Sequence, residues 1–499
     1  MKKQTERTSG VLLAISSLPG DSGIGTLGKY AYEFVDFLKN AGQTYWQILP
    51  VCPTSFGDSP YQSFSTFAGN PYFIDLDKLC EQGYLEKSDY ENAFWGALEC
   101  EVNYAILYTE RKKLFLKLQK NFESNIPADY YEFCAENAFW LDDYARFMAI
   151  KDEHHGASFD LWESSIRRRM PDSLKAWELT CQKGIQYYKM LQYFFFKQWN
   201  ELKKYANKKG IKIIGDLPIY VSADSADVWS QPEQFCLDED LKPTEVAGCP
   251  PDAFSQDGQL WGNPVYNWEY MKKTDYSWWK KRLEMSLKIY DVVRIDHFRG
   301  FDSYYCIPYG AKTAQVGVWR EGPGMHFFDS IKESMGDLPI IAEDLGFLTD
   351  SVRKLLKDSG FPGMKVLQFA FDGDSSNEYL PHNYERNSVV YTGTHDNDTV
   401  IGWTCSADAA ALEHAAAYLQ ARDRDELPQR MMLAALSSVS DTCILTMQDI
   451  LGLGSESRLN SPATVGENWK WRAVKHQMAQ CSPQRLLHLT RLFGRYNRK

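Results

Sequence analysis

The chain has 499 residues, 66 acidic and 55 basic, a formal net charge of -11 and 14% aromatic residues; its charges are scattered without a basic block, which argues against a nucleic-acid partner. Its purely apolar runs, such as Tyr193 to Phe196, fall far short of the roughly 20 residues that span a bilayer, so no membrane partner is expected. The eleven cysteines include no Cys-x-x-Cys pair and the nine histidines no His-x-x-x-His, so neither a metal nor a redox cofactor is expected; with no apolar segment behind "MKKQTERTSG", a cytoplasmic location is.

Strand-like runs recur along the chain. In order they are "VLLAISSLPG" from residue 11, "TYWQILPV" from 44, "IKIIGDLPIYV" from 211, "VVRIDHF" from 292, "LPIIAEDLG" from 338, "MKVLQFAF" from 364, "SVVYTGTHDND" from 388 and "TCILTMQDILG" from 442. Most are continuously apolar, as parallel strands buried on both faces read. Helical spacing fills several intervals: "LGKYAYEFVDFLKNAG" stops at Gly42, and "DSVRKLLKDSG" opens with Asp350 as cap and closes at Gly360. Strand and helix alternating to eight strands predict an α/β fold, a (β/α)8 TIM barrel, with a doubly wound open sheet as the alternative.

The intervals are uneven. Between the second and third strands, Tyr104, Leu107, Tyr108, Arg111, Leu114, Phe115 and Leu118 recur at three and four, as do Trp140, Tyr144, Phe147 and Met148. This predicts a mainly helical insertion over 60–205 on the upper rim of one catalytic unit, 1–499. A second insertion over 225–285, rich in Pro, Gly, Asp and Trp, is expected to form substrate-groove loops. "GIGTLG" gives Gly23, Gly25 and Gly28 the spacing of a dinucleotide fingerprint, but "SSLPGDS" separates it from its strand and the second strand ends without an acid for a ribose. It reads as a structural loop.

Asp296, Glu343 and Asp396 each lie at or just past the C-terminal end of a predicted strand, the face on which barrels of this kind build their sites. Each alone reads as a helix cap or ion-pair partner; together they suit glycosyl transfer, which needs one ionised carboxylate to attack the anomeric carbon and one protonated carboxyl to serve the leaving oxygen. Arg294, two residues before Asp296, leaves the strand on the same face and is expected to keep Asp296 charged. Glu343 is then the proton donor, raised by that negative charge.

Several segments carry a specific resemblance: "SPYQSFSTFAGNP", "IIGDLPIYV", "GCPPDAFSQDGQLWGNPVYNW", "VVRIDHFRG", "IIAEDLG", "YTGTHDNDT" and "RLNSPATVGENWKWR". In family order and over nearly the whole chain they resemble the amylomaltases, the 4-α-glucanotransferases of glycoside hydrolase family 77 in the α-amylase clan. The resemblance implies a retaining double displacement on an α-1,4-glucan without a cofactor, with maltooligosaccharides and glucose as partners. It implies Asp296 as nucleophile, Glu343 as general acid/base and Asp396 as transition-state stabiliser. Arg294, His395 and Asp216 would hold the same sugar, Tyr61 would stack on it, Trp261 and Asn263 would line the acceptor side, and Asn460 and Pro462 would help close the groove. Phe254 would act as a lid; its neighbour is Ala253, where some relatives carry tyrosine. A monomer or weak homo-oligomer is the expected state. The alternatives are a hydrolase of the same clan, which would use the same acids with water as acceptor, and a non-catalytic glucan-binding protein.

Overall fold

Eight parallel strands follow the eight apolar runs in a computed structural model that describes residues 7–251, 256–346 and 348–496. They are β1 (Thr8–Leu12), β2 (Tyr45–Gln47), β3 (Lys212–Leu217), β4 (Val292–Ile295), β5 (Ile340–Ala342), β6 (Gly363–Val366), β7 (Ser388–Tyr391) and β8 (Thr442–Thr446). Their order in the sheet is β6-β7-β8-β1-β2-β3-β4-β5. Between the two ends of that order, the Ala342 N–H donates to the Pro362 carbonyl at 2.9 Å and the Met364 N–H to the Asp344 carboxylate at 2.6 Å, bringing β5 to β6. The result is a (β/α)8 barrel rather than an open sheet.

The alternation of strand side chains explains why the runs are apolar throughout. Leu12, Ile214, Ile341, Met364, Val366, Val389, Tyr391 and Ile444 fill the barrel, while Val11, Ile213, Val293, Ile340, Val390 and Leu445 face outward into the larger core beneath the helices. Among the inward positions, Asp216 on β3 and Arg294 on β4 are register partners, so the strand pairing itself sets a carboxylate beside a guanidinium.

Helix ends follow local chemistry. Lys29–Asn40 stops before Gly42 at φ 71, and Asp350–Ser359 ends at Gly360 in the left-handed region at φ 73. The cap of the latter helix is not Asp350 as expected but Thr349, whose hydroxyl accepts the Val352 N–H; Asp350 lies in the first turn, where its charge meets the helix dipole. In "GIGTLG" the glycines serve close packing: a Cβ on Gly25 would stand 1.8 Å from the Ile15 carbonyl, and one on Gly28 1.9 Å from Asp75.

Between β2 and β3 lie the helices Leu76–Glu81, Tyr104–Ser124, Asp129–Glu136, Ala138–Glu153, Pro171–Thr180 and Gln182–Lys208, with the short helix Ser164–Arg167 and four 3-10 turns besides. The last carries the run Tyr193, Phe194, Phe195 and Phe196, all buried, and edge-to-face contacts join Phe194 to Phe122 and Phe122 to Tyr130. Burial of each such ring contributes roughly 1.5–3 kcal/mol. A separate antiparallel sheet combines Glu245–Cys249 and Gln259–Pro264 with Ser303–Pro308 and Val318–Glu321. The latter two strands follow β4, outside the 225–285 segment that the sequence set aside; Ser303–Pro308 pairs with Glu245–Cys249, a partner remote in sequence. Among the described residues no helix is long and apolar enough to cross a membrane. Residues 252–255, which include Ala253 and the expected lid Phe254, lie outside the described residues.

Candidate active site

Asp216 and Arg294 form the floor. One Arg294 nitrogen, Nη1, meets both Asp216 oxygens at 2.7 Å, with the two side chains 0% and 3% exposed. Removing one partner of such a buried pair costs about 3–5 kcal/mol. The same Nη1 reaches Asp296 Oδ1 at 3.1 Å, and Arg294 Nε points at the Met364 sulfur at 3.4 Å. Asp296 is the first residue past β4 and stays in the sheet register, its N–H bonded to the Leu217 carbonyl at 3.0 Å.

Glu343 holds the equivalent place after β5, its N–H on the Ile295 carbonyl at 3.0 Å. Its carboxylate accepts the His297 N–H at 2.6 Å and the Leu345 N–H at 2.9 Å. His297 can present that N–H because its backbone is left-handed, at φ 51, a conformation uncommon outside glycine. Its imidazole stands edge-on to Trp261 at 4.8 Å. Burial, helped by Arg299, pushes its pKa down to about 3, so the ring is neutral.

A third group comes from loops. The Tyr61 hydroxyl donates to Asp216 Oδ2 at 2.7 Å and meets His395 Nε2 at 2.8 Å, with the two rings stacked at 5.3 Å. His395 Nε2 also lies 3.2 Å from Asp396 Oδ2. Asn460 Nδ2 donates to Asp396 Oδ1 at 2.6 Å, while Arg458 binds the carbonyls of Asp396 and Asn460 at 2.9 and 2.8 Å. On the opposite rim Asn263 is buried and its amide is committed to protein: Nδ2 donates to the Val221 carbonyl at 2.8 Å and Oδ1 accepts Gln62 Nε2 at 3.0 Å. Trp261 is half-buried beside it. Pro462 stands apart from the hydrogen-bonded cluster, exposed on the turn after Asn460.

The carboxylates titrate in opposite directions. Burial raises Asp296 against the pull of Arg294, and the charges of Asp216, Glu343 and Asp396 add to the rise. Burial likewise raises Glu343, outweighing Arg294 and the two N–H donors. The expectation that Arg294 keeps Asp296 charged therefore needs correction, because burial outweighs it and the guanidinium nitrogen that reaches Asp296 already serves both oxygens of Asp216. Both acids thus rise beside the same cation, with burial as the main cause in each. Asp396 goes the other way: burial would raise it, but the His395 imidazole and the Asn460 amide hold it well below the usual carboxylate range. His395 is raised in return, the Asp396 charge prevailing over burial.

Sequence reasoning passed over several members of this cluster. Arg458 and Trp469 sit in "RLNSPATVGENWKWR", where attention fell on Asn460 and Pro462. Gln62 adjoins Tyr61 in "SPYQ", and Asp344 adjoins Glu343 but turns to β6, where burial pushes it up to about 6. The backbone donor at His297 left no composition signal at all.

A family profile described as 4-alpha-glucanotransferase matches residues 13–477. The 4-alpha-glucanotransferase of Clostridium butyricum is 51% identical, covering 96% of this chain and 99% of that one. That of Thermus thermophilus is 44% identical over 95% and 96%. A solved structure titled as amylomaltase from Streptococcus agalactiae in complex with acarbose is 45% identical, with a TM-score of 0.96 and coverage of 99% and 100%. An amylomaltase from Corynebacterium glutamicum, 18% identical with a TM-score of 0.76, shares the fold. The chain belongs to the 4-α-glucanotransferases of glycoside hydrolase family 77.

Proposed function

We propose that this 4-α-glucanotransferase moves a segment of an α-1,4-glucan to the 4-hydroxyl of an acceptor glucose or maltooligosaccharide by a retaining double displacement. The observation that carries the reading is the meeting of Asp296, Glu343 and Asp396 around Arg294 and His395 at the strand ends of the barrel. Asp296 attacks the anomeric carbon as the glycosidic bond breaks, and Glu343 gives its proton to the leaving oxygen. Glu343 then takes the proton of the incoming 4-hydroxyl, whose oxygen displaces Asp296 and restores the original anomeric configuration. Asp396, held ionised, binds hydroxyls of the distorted ring, where hydrogen bonds strengthen as positive charge develops.

Arg294 and Asp216 fix the nucleophile, Tyr61 and His395 border the donor sugar, and Trp261 offers an aromatic plane to the acceptor. Asn263 supports that rim through its buried amide, and Asn460 and Pro462 belong to the loop that closes the groove. Phe254 is proposed as a lid over the donor side. Residues 60–205 act as a helical subdomain and 225–285 as groove loops. The eleven free thiols support a cytoplasmic setting, with the protein working as a monomer or weak homo-oligomer and without metal or cofactor.

Incubation with maltotriose alone tests the reaction. A ladder of longer maltooligosaccharides with free glucose is expected. Glucose and maltose alone would mean that water is the acceptor, and unchanged maltotriose would return the chain to glucan binding.

A further inference from the structure

His395 is anchored on one side only. Its Nε2 is shared between Tyr61 and Asp396, while its buried Nδ1 has no hydrogen-bond partner among the described residues. Hydrogen bonds thus leave the imidazole free to pivot about Nε2, and ring packing has to fix its plane. Two rings do so: Tyr61, stacked at 5.3 Å, and Trp469, at 6.1 Å from His395 and 5.7 Å from Tyr61.

Trp469 is itself held in an unusual state. Its backbone is left-handed, at φ 67, and its side chain is 6% exposed. A bulky residue keeps such a conformation only where its surroundings over-determine it. Here the Trp469 N–H donates to the Leu459 carbonyl at 2.7 Å, and the Tyr104 hydroxyl donates to the Trp469 carbonyl at 2.8 Å. The neighbouring chain is strapped to the same helical region, with the Val102 N–H on the Lys470 carbonyl at 2.7 Å and the Arg472 N–H on the Cys100 carbonyl at 2.7 Å. The Leu459 contact also sets the place of Asn460, which bonds Asp396. One strained residue therefore touches both supports of Asp396, the imidazole through its ring and the Asn460 loop through its backbone.

We infer that Trp469 is a positioning residue for the transfer reaction: anchored by Tyr104 and Leu459, it fixes the ring planes of His395 and Tyr61 and so the orientation of Asp396. Its ring acts on His395 and Tyr61 rather than on Asp296. The inference rests on the proposed reaction and extends it to a residue outside the acids.

The test is maltotriose disproportionation with kcat and KM resolved for Trp469→Leu, Trp469→Phe and Tyr104→Phe, beside thermal melts. Because the rings act on a group engaged in the transition state, Trp469→Leu is expected to lower kcat about tenfold or more with KM nearly constant, and Trp469→Phe to restore most of it. Tyr104→Phe, which removes one hydroxyl remote from the sugar, should lower kcat by a smaller factor in the same sense. Wild-type kcat in Trp469→Leu, or Trp469→Phe as poor as Trp469→Leu while Tyr104→Phe is unaffected, would overturn the inference. Should Trp469→Leu fail to fold, the Trp469→Phe and Tyr104→Phe pair still decides: an unaltered kcat in both overturns it. If wild-type protein leaves maltotriose unchanged, the proposed reaction fails first, and that outcome is distinct from any ratio between variants.

Discussion

Asp296 and Asp396 are the same residue type on the same face of one barrel, yet their surroundings drive them apart. Asp296 relies on a guanidinium whose nearest nitrogen is already held by both oxygens of Asp216, and it is raised with Glu343. Asp396 has the Asn460 amide to itself beside an imidazole whose Nε2 also meets Tyr61, and it is lowered. Burial alone does not decide the charge of an acid; the groups that compensate it do, an imidazole and the dedicated Asn460 amide at Asp396 against a shared guanidinium at Asp296. On the proposed mechanism the side that shares Arg294 gives a pair with Asp296 ionised and Glu343 protonated, and the side with the dedicated amide gives a fixed negative charge. The proposed retaining transfer uses both.

The largest way to break this contrast is Asp296→Asn, which keeps the shape and removes the proposed nucleophile. Turnover is expected to fall on the order of 10⁴-fold or more, with the melting profile nearly unchanged. Asn460→Ala attacks the dedicated side. Loss of a hydrogen bond to a charged group is worth about 1.5–3 kcal/mol, so kcat should fall roughly 10- to 100-fold while KM moves little.

Asp216→Asn sharpens the shared side through pH. On the proposed mechanism activity requires Asp296 ionised and Glu343 protonated: it is lost on the acid side as Asp296 takes a proton, and on the alkaline side as Glu343 gives one up. The Asp216 charge helps raise Asp296. Removing it should move the acid limb of kcat/KM to lower pH, and movement to higher pH would contradict the sharing. Tyr61→Phe is the mildest change: the ring stays stacked while its bonds to Asp216 and His395 are lost, and a rise in KM of a few-fold is expected from titration with maltooligosaccharides.

The two sides also differ in how legible they were. All eight strands could be read from their apolar runs because both faces of each are buried, and Arg294, Asp296 and Glu343 follow from their places on the strands, whereas Asp216 was reached only through resemblance. What periodicity hid was stoichiometry: the sequence places Arg294 near Asp296 but cannot show that β3 and β4 align Asp216 to claim the same guanidinium. On the loop-borne side Asp396 was read from its place just past β7, and the rest was legible only through resemblance. Tyr61, His395 and Asn460 meet across long stretches of chain, and the left-handed backbones at His297 and Trp469 belong to residue types that give no hint of them. The strands after β4 escaped for a related reason, since Ser303–Pro308 pairs with a partner distant in sequence.

The most direct measurement is to trap the covalent sugar. An α-maltotriosyl fluoride carries a leaving group that needs no proton, so in Glu343→Gln the first displacement can proceed while the second, which needs a base, stalls. Peptide mapping by mass spectrometry should then find the glycosyl adduct on the peptide bearing Asp296. An adduct on any other carboxylate, or fluoride release without an adduct, would contradict Asp296 as the nucleophile and with it the division of labour between the two sides of the cleft.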